Sequence, residues 1–146
     1  MKPLLPLYSK LRLLILISLC ILGYGFQQQT DFKQAWPKRY SASYGFELMA
    51  DHNGVIIVAS VDTTYNAYKR GVRPGMELLG WNTQPLKKKL ELMRVTKYRK
   101  NFPGMTDEKI KLTLLTRGKQ GETAEVFFLT STGNNRGIKL TAIIKD

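Results

Sequence analysis

Residues 44–86 read YGFELMADHNGVIIVASVDTTYNAYKRGVRPGMELLGWNTQPL, and this stretch decides the fold of the chain. Apolar and polar side chains alternate over residues 46–50, which is typical of a half-buried strand. Asn53-Gly54 favours a tight turn, because glycine adopts positive φ at little cost. The β-branched run over residues 55–61 is typical of a central strand. These residues therefore predict a β-hairpin.

The second half of the stretch predicts a short helix, a turn and a third strand. Asp62-Thr63-Thr64 can cap a helix over residues 65–70, and Gly71 suits its left-handed end. Arg73-Pro74-Gly75 has proline and glycine where a tight turn favours them. The apolar run over residues 76–81 then predicts the third strand.

The chain after this stretch supplies the rest of one domain. Residues 86–100 carry apolar side chains at helical spacing, with Leu86, Leu90 and Met93 on one side, and predict a longer helix. Apolar residues alternate over 109–116 and predict a strand. The elements expected after it are a hairpin turn over 117–121, a partner strand over 124–130 and a last strand over 138–144. The pattern predicts an α+β domain over residues 42–146.

The N-terminal segment has the pattern of an export signal. Residues 1–12 are basic and residues 13–26 are apolar and uncharged, a helix of roughly 21 Å against a hydrocarbon core of about 30 Å. This length favours a signal peptide, with small Gly23 and Gly25 before a cleavage point at Phe26. An uncleaved signal-anchor in the inner membrane is the main alternative, and a lipoprotein modified at Cys20 is a third. Either of the first two predicts a periplasmic or otherwise extracytoplasmic domain.

Residues 27–41 are polar and mixed and predict a tether between this segment and the domain. Trp36 and Tyr40 within it have two interpretations, packing on the domain or lying at a membrane interface. Packing on the domain is the preferred one.

Composition excludes several classes of chemistry. One cysteine and one histidine exclude structural disulfides and His-pair or Cys-based metal sites. No glycine-rich phosphate loop and no G-x-S-x-G elbow occur. His52 lies in the predicted turn and is interpreted as an exposed turn residue. A Ser-Lys pair is the one nucleophilic arrangement left, and nothing marks a serine as activated. We therefore expect no cofactor, no metal and no enzyme activity.

The charge favours anionic partners. The formal net charge is +12, and three of the 23 basic residues but none of the 11 acidic ones precede residue 27, so the remainder carries +12 less 3, or +9. The interpretations are a solvated face, contact with an anionic membrane surface, and nucleic acid. Export argues against nucleic acid. The basic surface residues are Lys87, Lys88, Lys89, Arg94 and Lys97.

The predicted order of elements, with Tyr44-Gly45-Phe46, the strand over 55–61 and Gly71-Val72-Arg73-Pro74-Gly75, resembles a PDZ domain. It is most similar to the PDZ domains of bacterial envelope and carboxy-terminal processing proteases. Arg117-Gly118-Lys119 also resembles a hairpin of those domains. The resemblance covers residues 42–130, without a protease domain, and leaves 131–146 as an extra strand. Met76 and Thr83 depart from the family pattern, which has Asp and Gly there.

The resemblance implies a partly open antiparallel β-sandwich or barrel of five to six strands with two helices. In the family, a peptide C-terminus adds as a strand beside the strand that follows the Gly-containing loop, and loop amides hold its carboxylate. The resemblance implies that the helix over residues 86–100 walls this groove, although residues 138–144 of the chain itself could fill it. The implied peptide-binding residues are Ser43, Tyr44, Gly45, Phe46, Glu47, Leu48, Leu90 and Met93.

Three functional hypotheses follow. The first is a non-catalytic module of the cell envelope that binds a peptide or protein by strand addition. The second is a membrane-anchored structural component of an envelope or secretion assembly. The third is a remnant or accessory of a processing protease.

Overall fold

A computed structural model describes residues 36–145, which form eight strands, three α-helices and two 3-10 helices. The segments predicted as signal or anchor (1–26) and most of the tether lie outside the described residues. None of the helices within 36–145 has both the length and the apolar character that a bilayer crossing requires. The strands are β1 Ala42–Ser43, β2 Phe46–Ala50, β3 Ile56–Val61, β4 Glu77–Trp81, β5 Gln84–Pro85, β6 Arg117–Gly118, β7 Thr123–Leu129 and β8 Asn135–Thr141. The helices are α1 Asn66–Lys69, α2 Leu86–Leu92 and α3 Asp107–Leu115, with 3-10 helices Lys38–Tyr40 and Thr96–Asn101.

The main sheet is antiparallel and has the order β2-β3-β4-β7-β8, with the short β5 attached to β4. β1 and β6 pair separately as a two-stranded ladder. The α+β class and the antiparallel pairing are therefore confirmed, with more strands and helices than expected. β2 forms one edge of the main sheet, and this position matters for the site.

Aromatic side chains fill the centre of the domain. Tyr44 and Trp81 meet edge to face with ring centroids 5.3 Å apart, and Phe46 meets Phe128 in the same way at 5.9 Å. All four are buried, and such ring pairs add to the stabilisation from burying apolar area. Phe46 thus points into the core.

The segment predicted as a strand over residues 109–116 is helix α3, so that prediction is wrong. Leu112 and Leu115 belong to the main core, while Ile110 and Leu114 belong to a second apolar cluster on another side of the helix. A helix that is buried on two sides carries apolar residues at i and i+2, which imitates the alternation of a strand.

Local signals at the start of α3 favour the helix. The Thr106 side chain caps it by accepting a hydrogen bond from the Lys109 N–H at 3.3 Å. Asp107 follows in the first turn, where a negative charge interacts favourably with the helix dipole and stabilises the helix. Arg99 holds Asp107 through two hydrogen bonds of 2.9 and 2.6 Å, which ties the second 3-10 helix to α3.

Residues 86–100 do not form one continuous helix. α2 ends at Leu92, and the backbone at Met93 is extended before the 3-10 helix Thr96–Asn101 begins. This break allows Tyr98 and Phe102 to pack into the second cluster against α3.

Trp36 and Tyr40 also pack on this second cluster, as expected. The Trp36 ring lies 5.6 Å from that of Phe102, and the Tyr40 ring lies 5.3 Å from that of Tyr98. The end of the predicted tether, residues 36–40, is therefore attached to the domain.

The C-terminal part of the chain pairs away from β2. β8 runs from Asn135 to Thr141, a few residues earlier than predicted, and pairs with β7. Beyond it, Ile143 exchanges two backbone hydrogen bonds of 2.9 Å with Ser43 of β1. The tail therefore closes the β1 side of the domain, and within residues 36–145 no strand pairs with the outer edge of β2.

Candidate functional site

The outer edge of β2 has a backbone pattern suited to strand pairing. Hydrogen bonds join the Asp62 N–H to the Gly45 carbonyl at 2.9 Å and the Asp51 N–H to the Val55 carbonyl at 2.8 Å. These bonds identify the residues of β2 whose backbone groups point toward β3, because hydrogen-bonded and non-hydrogen-bonded pairs alternate along an antiparallel ladder. Val58 bonds through both its N–H and its carbonyl to the Gly75-Met76 segment, and so turns away from β2.

The register then defines the free groups. Phe46 lies opposite Val61, and after a bulge between Glu47 and Leu48 the pairs are Leu48 with Val58 and Ala50 with Ile56. These three are the non-hydrogen-bonded pairs of the ladder. The N–H and carbonyl groups of Phe46, Leu48 and Ala50 therefore point outward, along an edge that no other strand within residues 36–145 pairs with.

Helix α3 lies against β2 and forms the wall of this groove. Its Leu112 and Leu115 belong to the main core, against which the partly buried Leu48 and Ala50 also pack. Leu112 and Leu115 are buried, so the accessible apolar surface of the groove is that of Leu48 and Ala50. Sequence reasoning missed Leu112 and Leu115, because their segment was assigned to a strand.

The predicted wall, residues 86–100, lies elsewhere. α2 contacts β4 and β5 rather than β2 as its main neighbours, because the chain passes directly from β5 into this helix. Leu90 and Met93 are partly buried against the main core in this region. The structure thus replaces α2 by α3 as the wall of the groove.

The backbone N–H groups of the loop before β2 donate to different acceptors within the domain. The Tyr44 N–H donates to the Thr116 carbonyl at 3.0 Å, and the Gly45 N–H donates to Ser43 Oγ at 3.0 Å. The Ser43 N–H donates to the Ile143 carbonyl at 2.9 Å. Of the four loop residues that the resemblance implies, Ser43 to Phe46, only Phe46 has an N–H that points to the outer edge. The loop geometry therefore favours recognition of an extended backbone over capture of a terminal carboxylate.

Gly45 has a specific steric role in this loop. Its φ is +89°, and a Cβ placed there would lie 2.1 Å from Cβ of Tyr65. Tyr65 thus packs directly on the loop, and only glycine fits beneath it. Tyr65 is a further residue of the candidate site that sequence reasoning missed.

Glu47 faces away from the groove. Its side chain is exposed and accepts a hydrogen bond from the Ser60 hydroxyl at 3.0 Å. Successive residues of a strand point to opposite faces, so Glu47 lies on the side opposite Phe46 and Leu48.

The predicted basic residues divide into two groups. Lys87 and Lys88 are exposed on α2, whereas Lys89, Arg94 and Lys97 line a cleft of about 460 Å³. Arg39 and Arg117 line the same cleft, and both were missed because they are distant in sequence.

Within residues 36–145, no group of three or more His, Cys, Asp or Glu side chains could hold a metal ion. His52 is exposed in the turn between β2 and β3, and its ring lies 3.0 Å from the Asn53 side-chain amide.

Two solved structures with a similar fold are mature CPAF and the photosystem II D1 C-terminal processing protease. The first has a TM-score of 0.52 and 16% identity, over 71% of this chain and 20% of CPAF. The second has a TM-score of 0.53 and 16% identity, over 89% of this chain and 31% of the protease. The chain thus spans about a fifth to a third of these proteins, and at this identity the likeness shows the fold alone.

One of these neighbours is a C-terminal processing protease, in partial agreement with the sequence resemblance. A scan of protein families matches none, and a search of the curated proteins matches none. The PDZ assignment itself stays a prediction.

Proposed function

We propose that the domain is a non-catalytic module that binds a peptide or protein by adding one extended segment of its partner to the outer edge of β2. The observation that carries this proposal is the outward direction of the backbone groups of Phe46, Leu48 and Ala50. An unpaired row of N–H and carbonyl groups at a sheet edge is a template for a further strand.

The apolar groove supplies a place for the partner's side chains. Alternate side chains of an added strand would point toward α3, over the partly buried apolar side chains of Leu48 and Ala50. Backbone bonds would give affinity with little sequence preference, and this apolar surface would select residues at every second position.

A displayed library of random ten-residue peptides with free C termini would supply the probe. The selected peptide is then N-methylated at one residue at a time and titrated against the full chain by calorimetry. Strand addition predicts an alternating pattern, in which methylation weakens binding about three- to tenfold at every second residue. A uniform pattern, or failure to select any peptide, would count against strand addition.

Variants of Leu48 test the same edge from the protein side. Leu48→Pro removes the outward N–H without removing a bond to β3, and Leu48→Ala is its control because it shortens the side chain but keeps the N–H. Circular dichroism confirms that both variants fold. We expect Leu48→Pro to bind about three- to tenfold more weakly than Leu48→Ala.

Comparison of the selected peptide as free acid and as amide separates two modes of recognition. Because the Tyr44 and Gly45 amides are already bonded within the domain, we expect the two forms to bind with similar affinity. A strong preference for the free acid would instead favour carboxylate capture by a rearranged loop.

An accessory or remnant of a processing protease is the second candidate, and the fold shared with the D1 processing protease favours it. A fluorophosphonate probe tests whether the chain has a reactive serine of its own. Labelling that is lost in Ser43→Ala or Ser60→Ala would overturn the non-catalytic proposal.

The export pattern of residues 1–26 leads us to propose that the module acts in the cell envelope. The mass of the protein isolated from its native membrane and soluble fractions would show whether this segment is removed or retained. A retained segment would favour the membrane-anchored structural role.

A further inference from the structure

A basic cleft lies apart from the edge of β2, between the segment that joins α2 to the second 3-10 helix and the start of β6. Its volume is about 460 Å³, within the range of small-molecule sites. Among the described residues, none that lines it belongs to β2, although Leu115 of α3 lies at both the cleft and the groove. The aromatic lining residues of the cleft include Tyr44, Trp81 and Tyr98.

The charges around this cleft are strongly unbalanced. Among the described residues that line it, five are cationic, namely Arg39, Lys89, Arg94, Lys97 and Arg117, and Glu122 is the single carboxylate. Glu122 is already engaged, because its Oε2 accepts the Lys119 N–H at 2.8 Å. Within residues 36–145, none of the five cations forms an ion pair. A concave surface lined by one sign of charge concentrates the electric field and attracts counter-ions.

Arg117 is the most enclosed of these cations. Its guanidinium lies 3.5 Å from the centre of the Trp36 ring, which holds the side chain in place without neutralising it. Burial lowers the pKa of Arg117, with the charge of Glu47 opposing this effect. Within the part of the chain that the structure describes, Arg117 forms no ion pair with a carboxylate. Its stacked guanidinium therefore has donors available for another anion.

The walls of the cleft are aromatic and fixed. Trp81 and Tyr44 are buried parts of the main core, and Tyr98 belongs to the second cluster with Lys97 Nζ 4.9 Å from its ring. These elements place the cleft between two packed clusters.

We propose that this cleft binds a compact anion bearing one or more phosphate groups, either a free phosphorylated small molecule or the headgroup of an acidic lipid. The five cations supply the charge, and guanidinium groups supply paired donors that match phosphate oxygens. The volume fits a ligand of this size.

Inorganic pyrophosphate is the first probe, titrated by calorimetry against the full chain. Lys89→Gln with Lys97→Gln removes two cations from the cleft, and Lys69→Gln with Lys139→Gln removes two exposed cations from α1 and β8 as the charge-matched control. We expect the cleft variant to weaken binding at least about tenfold, the effect of losing one charge-assisted hydrogen bond, and the control less than about twofold.

Vesicles of phosphatidylcholine with and without phosphatidylglycerol distinguish the two sources of phosphate. If the cleft variant selectively weakens binding of pyrophosphate alone, the result supports a free ligand. If it selectively weakens binding to the vesicles, the result supports a lipid headgroup. Equal losses in the cleft and control variants would show a general charge effect and overturn the proposal. Absence of binding to both probes would overturn it as well. Neither result depends on the β2 edge, whose peptide titration is a separate measurement.

Discussion

Gly45→Ala tests whether the loop before β2 is held as the structure describes. Two separate effects should destabilise this variant. The φ of +89° is unfavourable for any residue with a Cβ, at about 1–2 kcal/mol. The new Cβ would also lie 2.1 Å from Tyr65 Cβ and 2.3 Å from its Cγ, and overpacking of this kind costs about 1–3 kcal/mol.

These two effects place the loss in the free energy of unfolding at about 2–5 kcal/mol. Tyr65 cannot avoid the contact by rotating its ring, because the nearest atom is the Cβ attached to the backbone. Urea denaturation followed by circular dichroism measures the loss, as a lower midpoint at constant m-value.

Gly54→Ala is the matched control. Its φ of +79° is close to that of Gly45, but an added Cβ would have no neighbour within 4 Å. We therefore expect this variant to lose only about 1–2 kcal/mol. If the two variants lose the same free energy within about 0.5 kcal/mol, Tyr65 does not pack on Gly45 and the described loop is incorrect.

Three further predictions concern α3 and the titrating groups around it. Leu112→Ala and Leu114→Ala should each destabilise the domain by about 2–5 kcal/mol in urea denaturation, because each leaves a cavity, one in each cluster. Burial, and then a nearby carboxylate, raises the pKa of Tyr44 to about 12, above the unfolded value of about 10. The stability that Tyr44 contributes is complete below about pH 10 and is lost as the pH rises toward 12. Over this pH range, the urea midpoint should therefore fall less steeply with pH in Tyr44→Phe than in the native chain. Hydrogen bonds from Arg99 lower the pKa of Asp107, so the contribution of its carboxylate is present above about pH 4 and lost as the pH falls through the lowered pKa. Asp107→Asn should therefore be less stable than the native chain at pH 7, and the two should become equal in strong acid.

The hairpin and the first helix were predictable from sequence because their signals are local. The alternation over 46–50 and the Asn53-Gly54 turn fixed β2, the turn and β3 within a residue or two. β4 and β7 were also close to their predicted bounds. In these segments, one face or one continuous run of apolar side chains matches a single type of element.

α3 could not be predicted in this way. Its pattern of buried residues arises from two separate clusters, and the second cluster contains residues 36–40 and 95–102, which lie far from α3 in sequence. The same tertiary contacts explain the early end of α2. The error in α3 then carried over to the site, because the wall of the groove was assigned to the wrong helix.

The edge of the site was predicted from a resemblance, and the structure refines it through hydrogen bonds that a sequence does not reveal. The partner of the Tyr44 N–H is the carbonyl of Thr116, which lies at the end of α3. The basic cleft was partly visible as Lys89, Arg94 and Lys97. Its other members, Arg39 and Arg117, could be added only once the chain had folded.

Trp81 joins the two proposed binding regions. Its ring contacts Tyr44 and lies 6.3 Å from the buried ring of Phe46, whose backbone groups begin the outer edge of β2, and it also lines the basic cleft. The sequence has two tryptophans, and the other, Trp36, stacks on Arg117 at that cleft. Intrinsic fluorescence of the native chain is therefore a built-in optical reporter for both regions. A Trp36→Phe chain would keep the Trp81 signal alone, so that one label-free emission band could follow occupancy of the edge and of the cleft in the same sample.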